Sequence, residues 1–280
     1  MRTDRTTALL GLGNMSGAIL AGMLAAGTDP GSVCATGHSA ASARQRQERI
    51  GVTVTATETD PEANRKAAAG ADVVVLGVKP KDILGLCREI AGALRPGTVV
   101  VSVAAGIPLA AMERHLPAGQ PVVRTMPNTP LTVGMGVVGM AGGAAATEEH
   151  LAAATALFAG SGTVHRVVED QIDAVAAVSG SGPAYAFLLA ELMAAGGAQM
   201  GLDEDLAAEL ARDTVAGAGR MLAEPGVDPA ALRRAVTSPN GTTEAAVESF
   251  LAADLAGIIA RGMQASAARG QAISEEFGTS

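Results

Sequence analysis

Two groups of residues in this 280-residue chain have types and spacings that could do chemistry. The first is Gly11-Leu12-Gly13-Asn14-Met15-Ser16-Gly17, which follows an apolar run and opens an Ala-rich helical pattern. A tight turn at Gly11, close backbone approach at Gly13 and free N–H groups at a helix start suit the pyrophosphate of a dinucleotide. Ser16 holds the place of the third glycine in G-x-G-x-x-G, and the same residues also suit a purely structural turn. The second group is Thr237-Ser238-Pro239-Asn240-Gly241-Thr242-Thr243, with four hydroxyls and no charge, ahead of another helical pattern. Its hydroxyls suit plain helix capping and equally an anion held at a helix N-terminus.

Further positions bear on which dinucleotide and which reaction. NAD sites usually place an acid about 20 residues after the glycines to hold the ribose 2′-hydroxyl. Residues 31–47 hold no acid; they hold His38, Ser39, Ser42, Arg44 and Arg46. Hydroxyls and cations suit a 2′-phosphate, so NADPH is favoured over NADH, although the two arginines also suit a solvated helix face. Lys79, in Gly77-Val78-Lys79-Pro80, ends the strongest apolar run, either beside the cofactor or as a surface lysine. Ala104-Ala105-Gly106 leaves room for a flat ring. All three lysines, Lys66, Lys79 and Lys81, lie in the first third of the chain; no His follows His165, and the one Tyr is Tyr185. Ketone reduction needs a proton-moving side chain; an imine nitrogen is already basic and needs less help, so imine reduction fits better.

These residues require elements to position them. The runs at 6–13, 32–37, 71–78, 98–105 and 121–126 read as strands, most of them near-continuously apolar, as parallel strands buried on both faces are. Helical patterns at 14–26 and 81–94 supply crossovers, which together predict a doubly wound α/β sheet over residues 1–166. Residues 167–280 read as all-helical, with helices at 170–178, 183–200, 203–223, 229–236, 242–252 and 254–270. Asp203 suits an N-cap, Pro225-Gly226 a stop and Pro229 a first helical turn. Small residues such as Gly196, Gly197, Gly217 and Gly219 would let helices approach closely. So few aromatics make this half a thin core alone, which predicts packing on a second subunit.

Composition narrows the function further. The net charge is −8, with four Phe, one Tyr and no Trp. No basic patch or stacking platform favours a nucleic-acid partner. No uninterrupted apolar run reaches the ~18 residues of a membrane helix. The N-terminal MRTDRTTALLGLG, with Asp4 and a short apolar run, does not read as a leader. Cys34 and Cys87 read as buried thiols of a reducing cytoplasm. The scattered histidines predict no metal site.

GLGNMSGAI, GVKP, RTMPNTP, DAVAAVSGSGPAYAFLLAEL and LRRAVTSPNGTTEAAVESF occur in that order. Together they resemble pyrroline-5-carboxylate reductase over essentially the whole length. The resemblance implies an N-terminal Rossmann-type domain and a helical dimerisation and substrate-binding domain. It implies hydride transfer from NADP(H), with NAD(H) as an alternative, to the cyclic imine L-1-pyrroline-5-carboxylate. It also implies a homodimer, often assembled into a decamer, with an active site spanning two chains. Cofactor contacts would fall on Leu10, Gly11, Leu12, Gly13, Asn14, Met15, Asn64, Val78, Lys79, Pro80, Ala104 and Ala105, with His38 or Ser39 at the 2′-phosphate. Substrate contacts would fall on Ser238, Thr242 and Thr243, with Glu169 near the domain junction, and Thr243 would reach the ring nitrogen. Departures from the family pattern are Ser16 for a Gly, Gly77 for an Ala and Asn240 for a Gly. Other readings are a reductase of another cyclic imine or of a 2-hydroxyacid, and a non-catalytic NADPH-binding protein.

Overall fold

The computed structural model describes residues 5–278; Met1–Asp4, including the Asp4 used above, and Thr279–Ser280 lie outside the described residues. Eight strands form one sheet in the order β3-β2-β1-β4-β5-β6-β7-β8. They are β1 (Thr7–Leu10), β2 (Val33–Gly37), β3 (Thr53–Ala56), β4 (Val73–Leu76), β5 (Val99–Ser102), β6 (Val122–Met126), β7 (Gly136–Gly142) and β8 (Gly162–Arg166). The first six pair in parallel, β7 runs antiparallel to β6, and β8 parallel to β7. The intervening helices are α1 (Asn14–Ala25), α2 (Ala40–Ile50), α3 (Ala63–Ala69), α4 (Ile83–Ile90), α5 (Leu109–Glu113) and α6 (Glu148–Ala156). Then follow α7 (Ile172–Val175), α8 (Gly182–Gln199), α9 (Glu204–Leu222), α10 (Pro229–Ala235), α11 (Thr242–Ala252) and α12 (Leu255–Gly278).

Among the described residues, 5–180 and 266–278 make one compact unit and 181–265 another. In the first, β1, β4 and β5 are buried at every position, as their apolar runs predict. The pleat sends alternate side chains to opposite faces. Leu9, Val73, Val75, Val99 and Val101 join one core, with Phe158 and α1 residues Ile19 and Leu20. Ala8, Leu10, Val74, Leu76 and Val100 join the other, with Ile83, Ile90 and Met112. Full burial of each Leu, Ile or Val contributes about 1.5–3 kcal/mol.

Three strands are absent from the sequence reading. β3 is four residues of alternating Thr and aliphatic, β7 carries three glycines, and β8 is a largely exposed edge strand. None is a continuous apolar run, the signal that marked the others. The last helix runs on to Gly278 rather than stopping near 270, and its second half, from Ser266, belongs to the first unit. There Ile273 fills the space beside Gly106, Phe277 packs on the second core, and Arg114 Nη2 donates to the Gly278 carbonyl at 2.9 Å.

In the second unit the caps are as expected. Asp203 accepts from the N–H groups of Asp205 and Leu206, and Pro229 sits in the first turn of α10 behind the N-cap Asp228. Of the small residues thought to bring helices together, Gly197 does so: an added Cβ would lie 3.2 Å from the Ala207 Cβ. Gly196, Gly217 and Gly219 face open space. Buried residues within the helices of this unit are Gly197, Ala207 and Ala211, whereas Phe187, Leu192 and Phe250 stand more than half exposed. That is an apolar surface of the kind that marks an interface.

Both thiols are shielded, Cys87 fully and Cys34 in part. Burial pushes Cys34 up and Cys87 up to about 12. Because the thiolate is the reactive form, Cys87 should react with a thiol-specific reagent at pH 8 only after denaturant is added. Labelling of the folded protein at the rate of a free thiol, read by mass spectrometry, would contradict this packing.

Candidate functional site

In an open parallel sheet, ligands bind beyond the carboxyl ends of the strands where the strand order reverses. Here that point lies between β1, which leads to β2 and β3, and β4, which leads to β5 and β6. Gly11 makes the turn with φ +86°, and the Gly13 N–H donates to its carbonyl at 2.8 Å. A Cβ on Gly11 would lie 2.6 Å from Val78 Cγ1 and 2.9 Å from Val78 N, so only glycine fits. The nearest atom to a Cβ on Gly13 is 3.9 Å away, which leaves a shallow cradle. Gly13 is also the N-cap of α1 and makes no side-chain cap bond. A cradle beside an uncapped helix start fits a pyrophosphate.

Side chains hold this turn in place, and sequence reasoning missed the central one. Buried Thr36, at the end of β2, accepts from Gly11 N–H at 3.1 Å and donates to Asn64 Oδ1 at 2.7 Å. Asn64 Nδ2 in turn donates to Glu89 at 3.3 Å. Asn64, expected at the cofactor, is thus also the middle of a relay that orients the glycine turn. A hydroxyl inside an apolar strand, one strand over from the glycines, was the available signal. Arg46, read above as a 2′-phosphate or surface residue, donates to the Gly13 carbonyl at 3.2 Å and to Ser42 Oγ at 3.2 Å. It lines a cleft of about 790 Å³ with Asn14, Ser42 and Arg49.

The other expected cofactor residues follow the same strand ends. Leu10 and Leu12 are buried, and Asn14 and Met15 open α1. His38 is exposed; Ser39 caps α2, its Oγ accepting from Ser42 N–H at 3.4 Å. Val78, exposed Lys79 and Pro80 follow β4, where the Lys79 carbonyl accepts from Asp82 N–H at 2.9 Å. Ala104 is buried and Ala105 exposed after β5.

The two departures near the turn are one feature. A Cβ on Gly77 would lie 1.9 Å from Ser16 Oγ and 2.6 Å from the Gly11 carbonyl. Ser16 therefore occupies the space an alanine at 77 would need. Its Oγ is buried with no hydrogen-bond partner among the described residues.

RTMPNTP and the first two residues of SGSG, separate in sequence, meet in the first unit. Asn128 Nδ2 donates to the Ser179 carbonyl at 2.9 Å, and its Oδ1 accepts from Val137 N–H at 2.9 Å. A Cβ on Gly180 would lie 2.6 Å from Met126 Cε, and residues Ala176–Gly180 form a single π-turn, a form frequent at functional sites. Arg124 is 5% exposed on β6 and binds Glu169 Oε1 at 3.0 Å, with Asp173 at 3.7 Å. The same Glu169 oxygen accepts from Leu109 N–H at 2.7 Å.

In the second unit the hydroxyl loop leads into α11. Asn240 has φ +57°, the left-handed conformation a glycine would take more readily. Gly241 is the N-cap and makes no side-chain cap bond. The loop is held instead by Gly241 N–H donating to the Ser238 carbonyl at 3.0 Å and Asn240 N–H donating to Glu244 Oε2 at 2.6 Å. Thr237 Oγ1 donates to the Arg233 carbonyl at 2.7 Å, while Ser238, Thr242 and Thr243 are exposed.

A doubly wound sheet with a glycine turn at its switch point, followed by an all-helical segment, places the chain among the dinucleotide-binding proteins. Residues 6–106 match the family described as NADP oxidoreductase, coenzyme F420-dependent, and residues 169–273 match pyrroline-5-carboxylate reductase dimerisation. A pyrroline-5-carboxylate reductase of Pseudomonas aeruginosa is 39% identical over 99% of this chain and 100% of its own. The solved pyrroline-5-carboxylate reductase of Coxiella burnetii is 35% identical, with TM-score 0.90, over 97% of this chain and 99% of its own. The Plasmodium falciparum pyrroline carboxylate reductase with NADP bound, 22% identical, shares the fold with TM-score 0.81 over 97% of this chain and 99% of its own. This chain belongs to the pyrroline-5-carboxylate reductase family.

The Ser16–Gly77 contact is testable as a pair. Gly77→Ala alone should cost about 1–3 kcal/mol through overpacking. Adding Ser16→Gly should recover part of that loss, in thermal or urea unfolding. Strictly additive effects of the two changes would contradict the contact.

Proposed function

We propose that this protein reduces L-1-pyrroline-5-carboxylate to L-proline with NADPH, with NADH as the alternative donor, as the last step of proline biosynthesis. The observation that carries the reading is the α11 N-terminus, whose exposed hydroxyls are not used in capping, in a chain of this family. The substrate has a carboxylate next to an imine ring. The free N–H groups of Thr242 and Thr243, with the Ser238 hydroxyl, suit the carboxylate. The Thr243 hydroxyl suits the ring nitrogen. Bound NADPH supplies a hydride for the imine carbon; the ring nitrogen takes one proton, and C=N becomes C–N. Holding both ends of a small ring fixes which face is reduced. Glu169 remains a substrate contact in this proposal, through the carboxylate whose Oε1 already binds Arg124 and Leu109 N–H.

On the cofactor side we assign the pyrophosphate to Leu10, Gly11, Leu12, Gly13, Asn14 and Met15. The adenosine end goes to His38, Ser39 and Asn64, and the nicotinamide end to Val78, Lys79, Pro80, Ala104 and Ala105. The uncapped α1 and the Gly11 cradle support this. We place the functional boundary between 166 and 167. Residues 167–180 and 266–278 pack with the sheet, yet lie in sequence within or beside the segment that matches the dimerisation family.

We further propose a cytoplasmic homodimer, assembled into a decamer, with no nucleic-acid or membrane partner. Among the described residues, the helical stretch Glu169–Gln199 is long and apolar enough to cross a membrane. The match of this region to a dimerisation family supports giving its exposed apolar side chains to a second copy. Light scattering at assay concentration should give a dimer or larger; an active monomer would exclude this assembly.

The activity is tested by mixing the purified protein with NADPH and pyrroline-5-carboxylate and following nicotinamide absorbance, where no consumption would overturn the reading. Thr243→Ala should lower kcat/KM roughly ten- to 150-fold, the loss of a hydrogen bond to a charged group, mainly through kcat. Ser238→Ala should mainly raise KM, because a carboxylate contact serves ground and transition states alike. Both variants should melt near the wild-type temperature. A Thr243→Ala enzyme that melts early but turns over normally would make Thr243 a structural residue.

A further inference from the structure

Residues 31–47 lack the acid that usually receives a ribose 2′-hydroxyl, yet the structure brings one to the same place from elsewhere in the chain. β3 runs parallel to β2 with Gly37 opposite Ala56. The pairing continues past both strand ends: Thr57 N–H donates to the Gly37 carbonyl at 2.8 Å, and Glu58 N–H to the His38 carbonyl at 3.0 Å. Thr59 and Asp60 then turn back onto the Ala56 carbonyl. Glu58 is thereby fixed beside His38. Its Oε2 accepts from the N–H of Ala40, the first residue of α2, at 2.8 Å. Ser39 takes another N–H of the same helix end.

We infer that Glu58 is a specificity-determining residue for the cofactor, accepting a ribose 2′-hydroxyl and disfavouring a 2′-phosphate. The inference rests on the placement of His38 and Ser39 at the adenosine ribose proposed above. A carboxylate beside that ribose can accept a hydrogen bond from a hydroxyl, the role an acid has at this point in NAD sites. Against a 2′-phosphate the same carboxylate presents like charge, and it holds an N–H that the phosphate would otherwise use. The cations and hydroxyls of residues 38–46 pull the other way. Cofactor choice is set by the balance between them, and Glu58 keeps the hydroxyl form of the dinucleotide usable.

The test reads binding rather than turnover. Calorimetric titration with 2′,5′-ADP and with 5′-ADP compares the phosphate and hydroxyl forms on the wild-type protein and on Glu58→Gln. Glutamine keeps an oxygen that can accept the Ala40 N–H, so the helix end stays satisfied; Glu58→Ser and the melting temperatures of both variants control for folding. Glu58→Gln should tighten 2′,5′-ADP relative to 5′-ADP by about three- to tenfold, the order of an exposed charge effect. The gain should shrink with added salt, as exposed charge interactions do. In steady-state kinetics the NADPH-to-NADH ratio of kcat/KM should move in the same direction. An unchanged binding ratio in both variants, with both nucleotides binding normally, would overturn the role of Glu58 and leave the cofactor edge intact. Failure of the wild-type protein to bind either nucleotide would overturn the placement itself.

Discussion

The contact between Gly11 and Val78 is the constraint on which the cofactor edge depends. Two parallel strands diverge at the switch point, and their ends can stay this close only because residue 11 has no side chain. That closeness lets the Gly77 N–H reach the Leu10 carbonyl and tie the two exits together at 2.8 Å. Thr36 supplies the lateral hold, and its partner Asn64, on α3, links it to Glu89 on α4. A cradle made of backbone needs this kind of support, since backbone N–H groups cannot be re-aimed by a rotamer.

A second anchor is polar and buried. Arg124 follows two buried valines on β6, and its charge is met by Glu169 and Asp173 from the segment around α7. Breaking such a buried pair is costly, although forming it adds little net stability. Its structural effect is positional: it locks the start of the helical segment to β6. Asn128 and Met126 extend the same lock to the π-turn and its glycine. RTMPNTP thus works as a clamp on SGSG.

What was legible in the sequence follows from how each feature is encoded. Continuous valine runs announced β4 and β5 because burial on both faces leaves no polar positions. β3 and β8 carry no such mark; their places are set by the sheet that precedes them. The glycine turn was legible from spacing, whereas Thr36 was hidden, because a threonine in a strand reads as an ordinary β-branched residue until its partner is known. Glu58 was hidden for a topological reason: a search for an acid after β2 looks along the chain, while the acid arrives sideways from the turn after β3. The reach of Arg46 to the Gly13 carbonyl was hidden because it depends on how α2 lies beside α1. At Asn240, where the family pattern has a glycine, the chain keeps a left-handed backbone with an asparagine braced by Glu244.

The path of α12 has a bearing on how the molecule is made. Residues 266–278 complete the unit whose sheet is built from residues 7–166, so they must return across the whole length of the second unit in sequence. The Arg114–Gly278 bond joins residues 164 positions apart, and Phe277 closes over a core begun by Ala8. During synthesis the sheet leaves the ribosome long before the helix that covers it. Contacts of such separation are formed late and slow the search for the native state. Until then Gly106 and the core beneath Phe277 stay uncovered, and the nascent chain carries an exposed apolar face of the sort that recruits holding chaperones.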